Sequence, residues 1–327
     1  SKLITVILQY YLQEYPNLLN APSRQLIQQT VDRNGAVDLE KYLLTPFREW
    51  KEDKRLGSIS IFHPDDDGRK SFVSNAQTLL KHGYRMAFST QYTPYQDAST
   101  QKKSKSSIRR ARSGKGLATL FNTMRRNPFA VAFIKKVNGI TISHAVYVYA
   151  DEANQQLLMK RFLQGDDEMF AQRGHSYWRS EQITDPLEKL RENKQITASD
   201  LTKRQRFLSL GSCGGVKAYT KLTRMFLGHI DILATIGTGM ALINDPYNRN
   251  FFEIVAKNPS TITWEDMAVK SSFIFAKGRG QDYLQPGCLT AILHKILDEE
   301  RANRGDTFDS EHSLSPEDKL EQEINAL

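Results

Sequence analysis

The chain has 327 residues, 39% of them hydrophobic, enough for one large domain or two ordinary ones around a sizeable core. Its only cysteines are Cys213 and Cys288, which excludes a disulfide framework and a multi-cysteine zinc site. The net charge of +8 is uneven: residues 298–327 are strongly acidic, so the body is more basic than the total. Such a body suits a nucleic acid, an anionic membrane, an acidic protein or simply a well-solvated surface.

The opening run, Lys2–Leu8, is too short to span a bilayer and carries no small-residue cleavage site, and no later segment reaches spanning length. A soluble protein in a reducing, cytoplasmic setting is expected, with a signal upstream of Ser1 left open. Residues 1–56 read as a helical N-terminal appendage. Leu3, Ile7, Leu8, Tyr11 and Leu12, then Leu26, Ile27 and Val31, recur at helical spacing, with a break at Asn20-Ala21-Pro22. A further helix is expected over Leu39–Lys51.

Residues 57–297 read as an α/β domain. A β-rich run, Ser58–Phe62, closes on His63-Pro64-Asp65-Asp66-Asp67-Gly68, followed by a helix over Ser71–His82 and a strand over Tyr84–Ser89. A long polar loop and a helix near Leu117–Arg125 come next. The runs Phe129–Val137 and Ile140–Tyr149 flank Asn138-Gly139, a strong hairpin signal. Then follow a helix (Asp151–Leu163), strand 169–173, helix 180–191, strand 206–210, helix 216–227 and strand 231–236. Strands separated by helices imply crossovers and a mainly parallel sheet covered by helices on both faces. Residues 244–257 and 264–276 read as helices, and 298–327 as an acidic, mobile tail.

Two strand ends carry the chemistry. The run Leu208-Ser209-Leu210 enters the small-residue turn Gly211-Ser212-Cys213-Gly214-Gly215, and strand 169–173 ends at Arg173-Gly174-His175-Ser176. Sites in parallel α/β sheets form beyond the carboxyl ends of the strands, where both residues lie. His175 could assist thiolate formation at Cys213 and later protonate a leaving amine. Gly211, Gly214 and Gly215 leave backbone N–H groups to face an oxyanion. Read singly, Cys213 is a small buried hydrophobe and His175 a satisfied core histidine; the paired placement favours function.

These two blocks, extended to Tyr177, resemble the His and Cys motifs of the caspase–gingipain–separase clan of cysteine peptidases, as a divergent, bacterial-type member. The resemblance covers residues 57–276 and is more specific at the Cys block than at the His block. Ser176 follows His175 where most of the clan has Gly, and Gly174 precedes the histidine instead. The resemblance implies a caspase-like fold and a Cys–His dyad with no obligatory third member. Hydrolysis runs through an acyl-enzyme, with the Ser176 and Cys213 main-chain N–H groups on the oxyanion and no metal or cofactor in the chemistry. It also implies a specificity pocket built from loops holding Asp65, Asp66, Asp67 and Asp245, which would select a basic P1 residue through charge-assisted hydrogen bonds. Those aspartates equally fit a solvated turn and helix N-cap. A calcium loop fits poorly, because aligning Gly68 as the loop glycine puts His63 first and Ser74 at the acid position.

The expected partner is a protein or peptide substrate. The same dyad fits a hydrolase or transferase acting on a non-peptide thioester or amide, and the change at Ser176 leaves an inactive caspase-like interaction module open. The basic stretch Gln101–Gly116 reads as a flexible loop, with self-cleavage as an alternative; nucleic acid is disfavoured there because no aromatic residues interleave. Trp178 either lines the cleft or packs beside it, Gly237-Thr238-Gly239 is too short for a phosphate cradle, and Asn244-Asp245-Pro246 is expected to open a helix.

Overall fold

Parallel strands can be joined only by crossovers that pass over a sheet face, and the computed structural model, which describes residues 2–305, has that layout. The strands are β1 (Arg55–Phe62), β2 (Arg85–Ser89), β3 (Ala130–Val137), β4 (Ile140–Val148), β5 (Met169–Arg173), β6 (Arg206–Leu210), β7 (Ile230–Thr235) and β8 (Tyr283–Leu284). They form one eight-stranded sheet in the order β2-β3-β4-β1-β5-β6-β7-β8. Strands β4, β1, β5, β6 and β7 run parallel, while β2, β3 and β8 are antiparallel to their neighbours.

The helices, in chain order, begin with α1 (Lys2–Glu14), α2 (Ala21–Asn34), α3 (Glu40–Leu43) and α4 (Phe47–Trp50) ahead of the sheet. Within it come α5 (Asp66–Lys81), α6 (Ala98–Ala111), α7 (Leu117–Arg126), α8 (Glu152–Gln164), α9 (Asp185–Glu192), α10 (Ala198–Thr202) and α11 (Tyr219–Met225). The series ends with α12 (Ala241–Lys257), α13 (Trp264–Phe275) and α14 (Leu289–Arg304).

Alternation along the strands divides the core between the two faces. In β1, Leu56 and Phe62 join one cluster with α5, α7, α12 and α13. Ile59 and Ile61 point the other way, into a cluster with α8, α9 and α11. Strands β5, β6 and β7 are buried along their whole length, as expected of strands covered on both sides. Each fully buried Phe or Leu, such as Phe72 or Leu158, contributes about 1.5–3 kcal/mol. A third, smaller cluster joins Val6 of α1, Leu43 of α3 and Ile292 and Ile296 of α14.

Several boundaries differ from the sequence reading. The helix expected over Leu39–Lys51 is two short pieces, because Pro46 lies between α3 and α4. Phe47 and Trp50, within the segment 1–56, pack into the main core. The long polar loop before Leu117 contains α6, whose Ser104, Ile108 and Ala111 are buried at helical spacing. At the other end α14 runs through Asp298 to Arg304, so no boundary falls at 298; the rest of the expected tail, 306–327, lies outside the described residues. Among the described residues no helix is long and apolar enough to cross a membrane.

Candidate functional site

Chain order reverses at β1: the later strands β2, β3 and β4 lie to one side of it, and β5, β6 and β7 to the other. A crevice at such a reversal, outside the carboxyl ends of the strands, is where open α/β sheets bind ligands. The register aligns Phe62 of β1 with Arg173 of β5, and Gln172 of β5 with Leu210 of β6, so the loops after these strands emerge side by side. Together with the β7–α12 loop they enclose a cleft of about 160 Å3. Asp65, Asp67, Arg173, His175, Cys213 and Asn244 are among the residues that line it.

The Cys213 turn is pinned from several directions. Gly214 takes a left-handed conformation (φ 62°) that permits the sharp reversal after the thiol. Its N–H donates to Gly237 O at 2.8 Å, and the Gly215 N–H donates to Thr235 Oγ1 at 3.1 Å. The Gly211 N–H donates to Gln172 O at 3.1 Å. The three glycine donors expected to face an oxyanion are therefore spent within the fold. Among the described residues no backbone carbonyl accepts from the Cys213 N–H. Arg179, buried behind the turn, donates from Nε to Ser212 Oγ at 3.0 Å and from Nη2 to the Cys213 carbonyl.

His175 lines the same cleft and is half exposed. Its Nε2 is 3.6 Å from Asp67 Oδ2 and 4.0 Å from Asp65 Oδ2, and its ring stacks on Tyr177. The partners the structure gives the imidazole are thus carboxylates and the rings of Tyr177 and Trp178. Ser176 heads a single exposed 3₁₀ turn, Ser176–Trp178, immediately beyond. The following five residues, Ser180–Thr184, form a π-helical turn that leads into α9.

The four candidate aspartates separate into different roles. Asp65 is the N-cap of α5 and accepts from the Gly68 N–H at 2.6 Å, and it also faces the cleft. Asp67 lines the cleft beside His175, while Asp66 points to solvent and pairs with Arg69. Asp245 is buried within α12, not in a loop, because that helix starts at Ala241 and carries Pro246 inside it. Its carboxylate is ion-paired with Arg173 below the cleft, and burial pushes its pKa up to about 6 despite that guanidinium. Asp245 is thereby committed to Arg173 and not free for a substrate cation.

Trp178 packs instead of lining: its ring stacks nearly parallel (11°) on His63, and it is not part of the cleft wall. His63, at the end of β1, is a second imidazole of this region, with Nδ1 3.4 Å from Asp65 Oδ2 and its pKa lowered by burial. Arg173, Arg179 and His63 were not singled out from the sequence. For His63 and Arg173 the signal was available, since each lies at a strand end as His175 does; nothing local marks Arg179. Among the described residues no group of three or more His, Cys, Asp or Glu side chains is placed to hold a metal ion. Comparison of the chain with protein-family models, with curated proteins and with solved structures gives no match.

Proposed function

We propose that the protein is a thiol-dependent endopeptidase, a divergent member of the caspase–gingipain–separase clan, with Cys213 as nucleophile and His175 as general acid and base. The observation that carries this reading is the shared cleft: a thiol and an imidazole from adjacent parallel strand ends line one cavity at the reversal of the sheet. In the reaction His175 takes the thiol proton and the sulfur attacks the scissile carbonyl carbon. The oxyanion that forms accepts from the Cys213 N–H, with the Ser176 N–H as the second donor. The imidazolium then protonates the departing amine, leaving a thioester on Cys213. Water, deprotonated by His175, attacks that thioester and releases the new carboxylate and the thiol.

A preference for basic P1 residues rests on Asp65 and Asp67, two carboxylates on the cleft wall; Asp67 also pairs with the exposed Lys70 and Asp65 lies against His63, contacts that a substrate cation would displace. The expected setting is a reducing, cytoplasmic one, in which both cysteines stay free, as they stand in the structure.

Labelling with an acyloxymethyl ketone carrying P1 arginine, followed by peptide mapping, tests this reading. Modification confined to Cys213 and lost in Cys213→Ala and His175→Ala is the expected result. Cys288 serves as the internal control, because burial pushes its thiol pKa up and disfavours the reactive thiolate. Labelling by a non-basic electrophile alone would retain the nucleophile and remove the basic specificity. No selective labelling of Cys213 by either probe would favour an inactive interaction module.

A further inference from the structure

Between Ala98 and Pro128 the chain carries nine lysines and arginines and no aspartate or glutamate. The structure turns this run into α6 and α7, two helices packed on one another and joined by five residues, with all nine cations exposed. Ser104, Ile108 and Ala111 fix the buried face of α6, so Lys102, Lys103, Lys105, Arg109 and Arg110 are spread over the outer half of the helix. Among the described residues none of the nine forms an ion pair; what they find is neutral, as where Lys105 donates to Gln101 Oε1 and Arg126 to the Asn122 carbonyl.

That arrangement works against the fold. Lys102–Lys105, Lys105–Arg109 and Arg109–Arg112 are like-charge pairs at helical neighbour spacing, each destabilising to an isolated helix. The acid-free composition means that the repulsion is relieved only from outside. Ile108 and Ala111 of α6 are turned inward, so the helix presents no apolar face to a lipid bilayer.

An exposed aromatic completes the patch. Tyr95 is 93% exposed two residues before Asp97, the N-cap of α6. The intervening Gln96 accepts from Ser104 Oγ of α6 at 3.2 Å and donates to the Pro128 carbonyl at 2.9 Å. This clamp holds Tyr95 beside the first half of α6 and close to the end of α7, where Arg125 and Arg126 lie. A cationic track with an unpaired ring at its margin is the composition of a single-strand platform: phosphates meet the cations and a base stacks on the ring.

We infer that the α6–α7 surface with Tyr95 binds single-stranded nucleic acid through its phosphate backbone. The surface is built from elements other than those of the cleft, and the inference does not rest on the peptidase reading. It is tested with the whole chain by fluorescence anisotropy of a labelled 20-mer oligothymidylate across a salt series. Contact with about four phosphates predicts a slope of log K against log salt of about −3, so affinity falls about 50-fold between 50 and 200 mM salt. The exposed quadruple variant K102Q/K103Q/R109Q/R110Q should keep or raise the thermal midpoint, because it breaks the like-charge pairs, weaken binding at least about tenfold and flatten the slope. Tyr95→Ala should weaken binding about fivefold or more with the salt slope unchanged, the signature of lost stacking. No binding at 50 mM salt, or binding that the quadruple variant leaves intact, would overturn the inference. So would equal or tighter binding of polyglutamate or of phosphatidylserine vesicles, which would assign the surface to an acidic protein or a membrane.

Discussion

At His175 the ring lies beside a carboxylate, with Nε2 3.6 Å from Asp67 Oδ2, and stacks on Tyr177. Under the peptidase reading Asp67, which also pairs with Lys70 at 3.3 Å, would either orient the imidazole or receive a substrate cation. The pair is largely exposed, and such pairs are worth about 0.2–1 kcal/mol, so Asp67→Asn should slow Cys213 labelling about two- to fivefold. If the carboxylate orients the ring, the loss is the same for the basic ketone and for a neutral electrophile. A loss confined to the basic ketone would make Asp67 a specificity residue instead. The strand-end placement of His175 and Cys213 was legible in the sequence, because apolar runs ending in small or polar residues mark the carboxyl ends of parallel strands. The division of labour among the aspartates was not. Three consecutive identical side chains differ only in where the first turn of α5 points them, which makes Asp65 a cap, Asp66 a surface residue and Asp67 a neighbour of the histidine.

Among the elements, the central strands were the most readable, since β5 and β6 occupy the residues their apolar runs mark, and the Asn138-Gly139 turn joins β3 to β4 as expected. Helix α6 was missed because its inner face is nearly featureless: of Ser104, Ile108 and Ala111 only one is strongly apolar, and the basic outer face reads as a loop. The available sign was Asp97, whose side chain accepts from the Thr100 N–H at 2.9 Å as an N-cap. The placement of the cleft depends on a comparable detail at α5. A Cβ on Gly68 would lie 1.9 Å from the His63 carbonyl oxygen, a backbone atom that cannot turn aside. Gly68→Ala must therefore push the start of α5 away from the end of β1, at a cost of about 1–3 kcal/mol as for other overpacked sites. The same shift moves Asp65 and Asp67 relative to His175. The variant should show a lowered thermal midpoint together with slower labelling of Cys213; an unchanged midpoint would mean that the loop relaxes freely and that α5 does not anchor the cleft wall.

Across the whole molecule, burial has displaced two families of titrating groups in opposite directions within one pH window. Asp245 and Asp298 are both pushed up to about 6 from an ordinary 3.8, in each case mainly by loss of water. His144, fully buried with Nδ1 bonded to Ser58 Oγ, is pushed down to about 4 from 6.5, and burial also lowers His229 and His294. For the aspartates the native state holds the proton more tightly than the unfolded chain, so their contribution to stability falls as pH rises from about 3.8 to about 6. For the histidines the native state refuses the proton, so their contribution grows as pH rises from about 4 to about 6.5. The two slopes oppose each other, and Asp167 and Glu168, whose pKa values burial also raises, add to the acid side. Removing one group exposes the other slope. Asp298 is suited to this because it lies on α14, away from the cleft, with Oδ1 3.2 Å from Arg301, Oδ2 buried without a hydrogen-bond partner among the described residues, and Arg224 and Thr223 close by. Asp298→Asn mimics the protonated acid, so it should resemble the wild type near pH 4 and gain on it as pH rises through 6, by on the order of 1 kcal/mol. Urea unfolding at pH 4.5, 5.5, 6.5 and 7.5 would measure that gain, and Cys213 labelling should be unaffected. A difference that stays flat, or that moves against the variant as pH rises, would show that Arg301, Arg224 and Thr223 together compensate the Asp298 carboxylate in full and that its burial carries no net penalty.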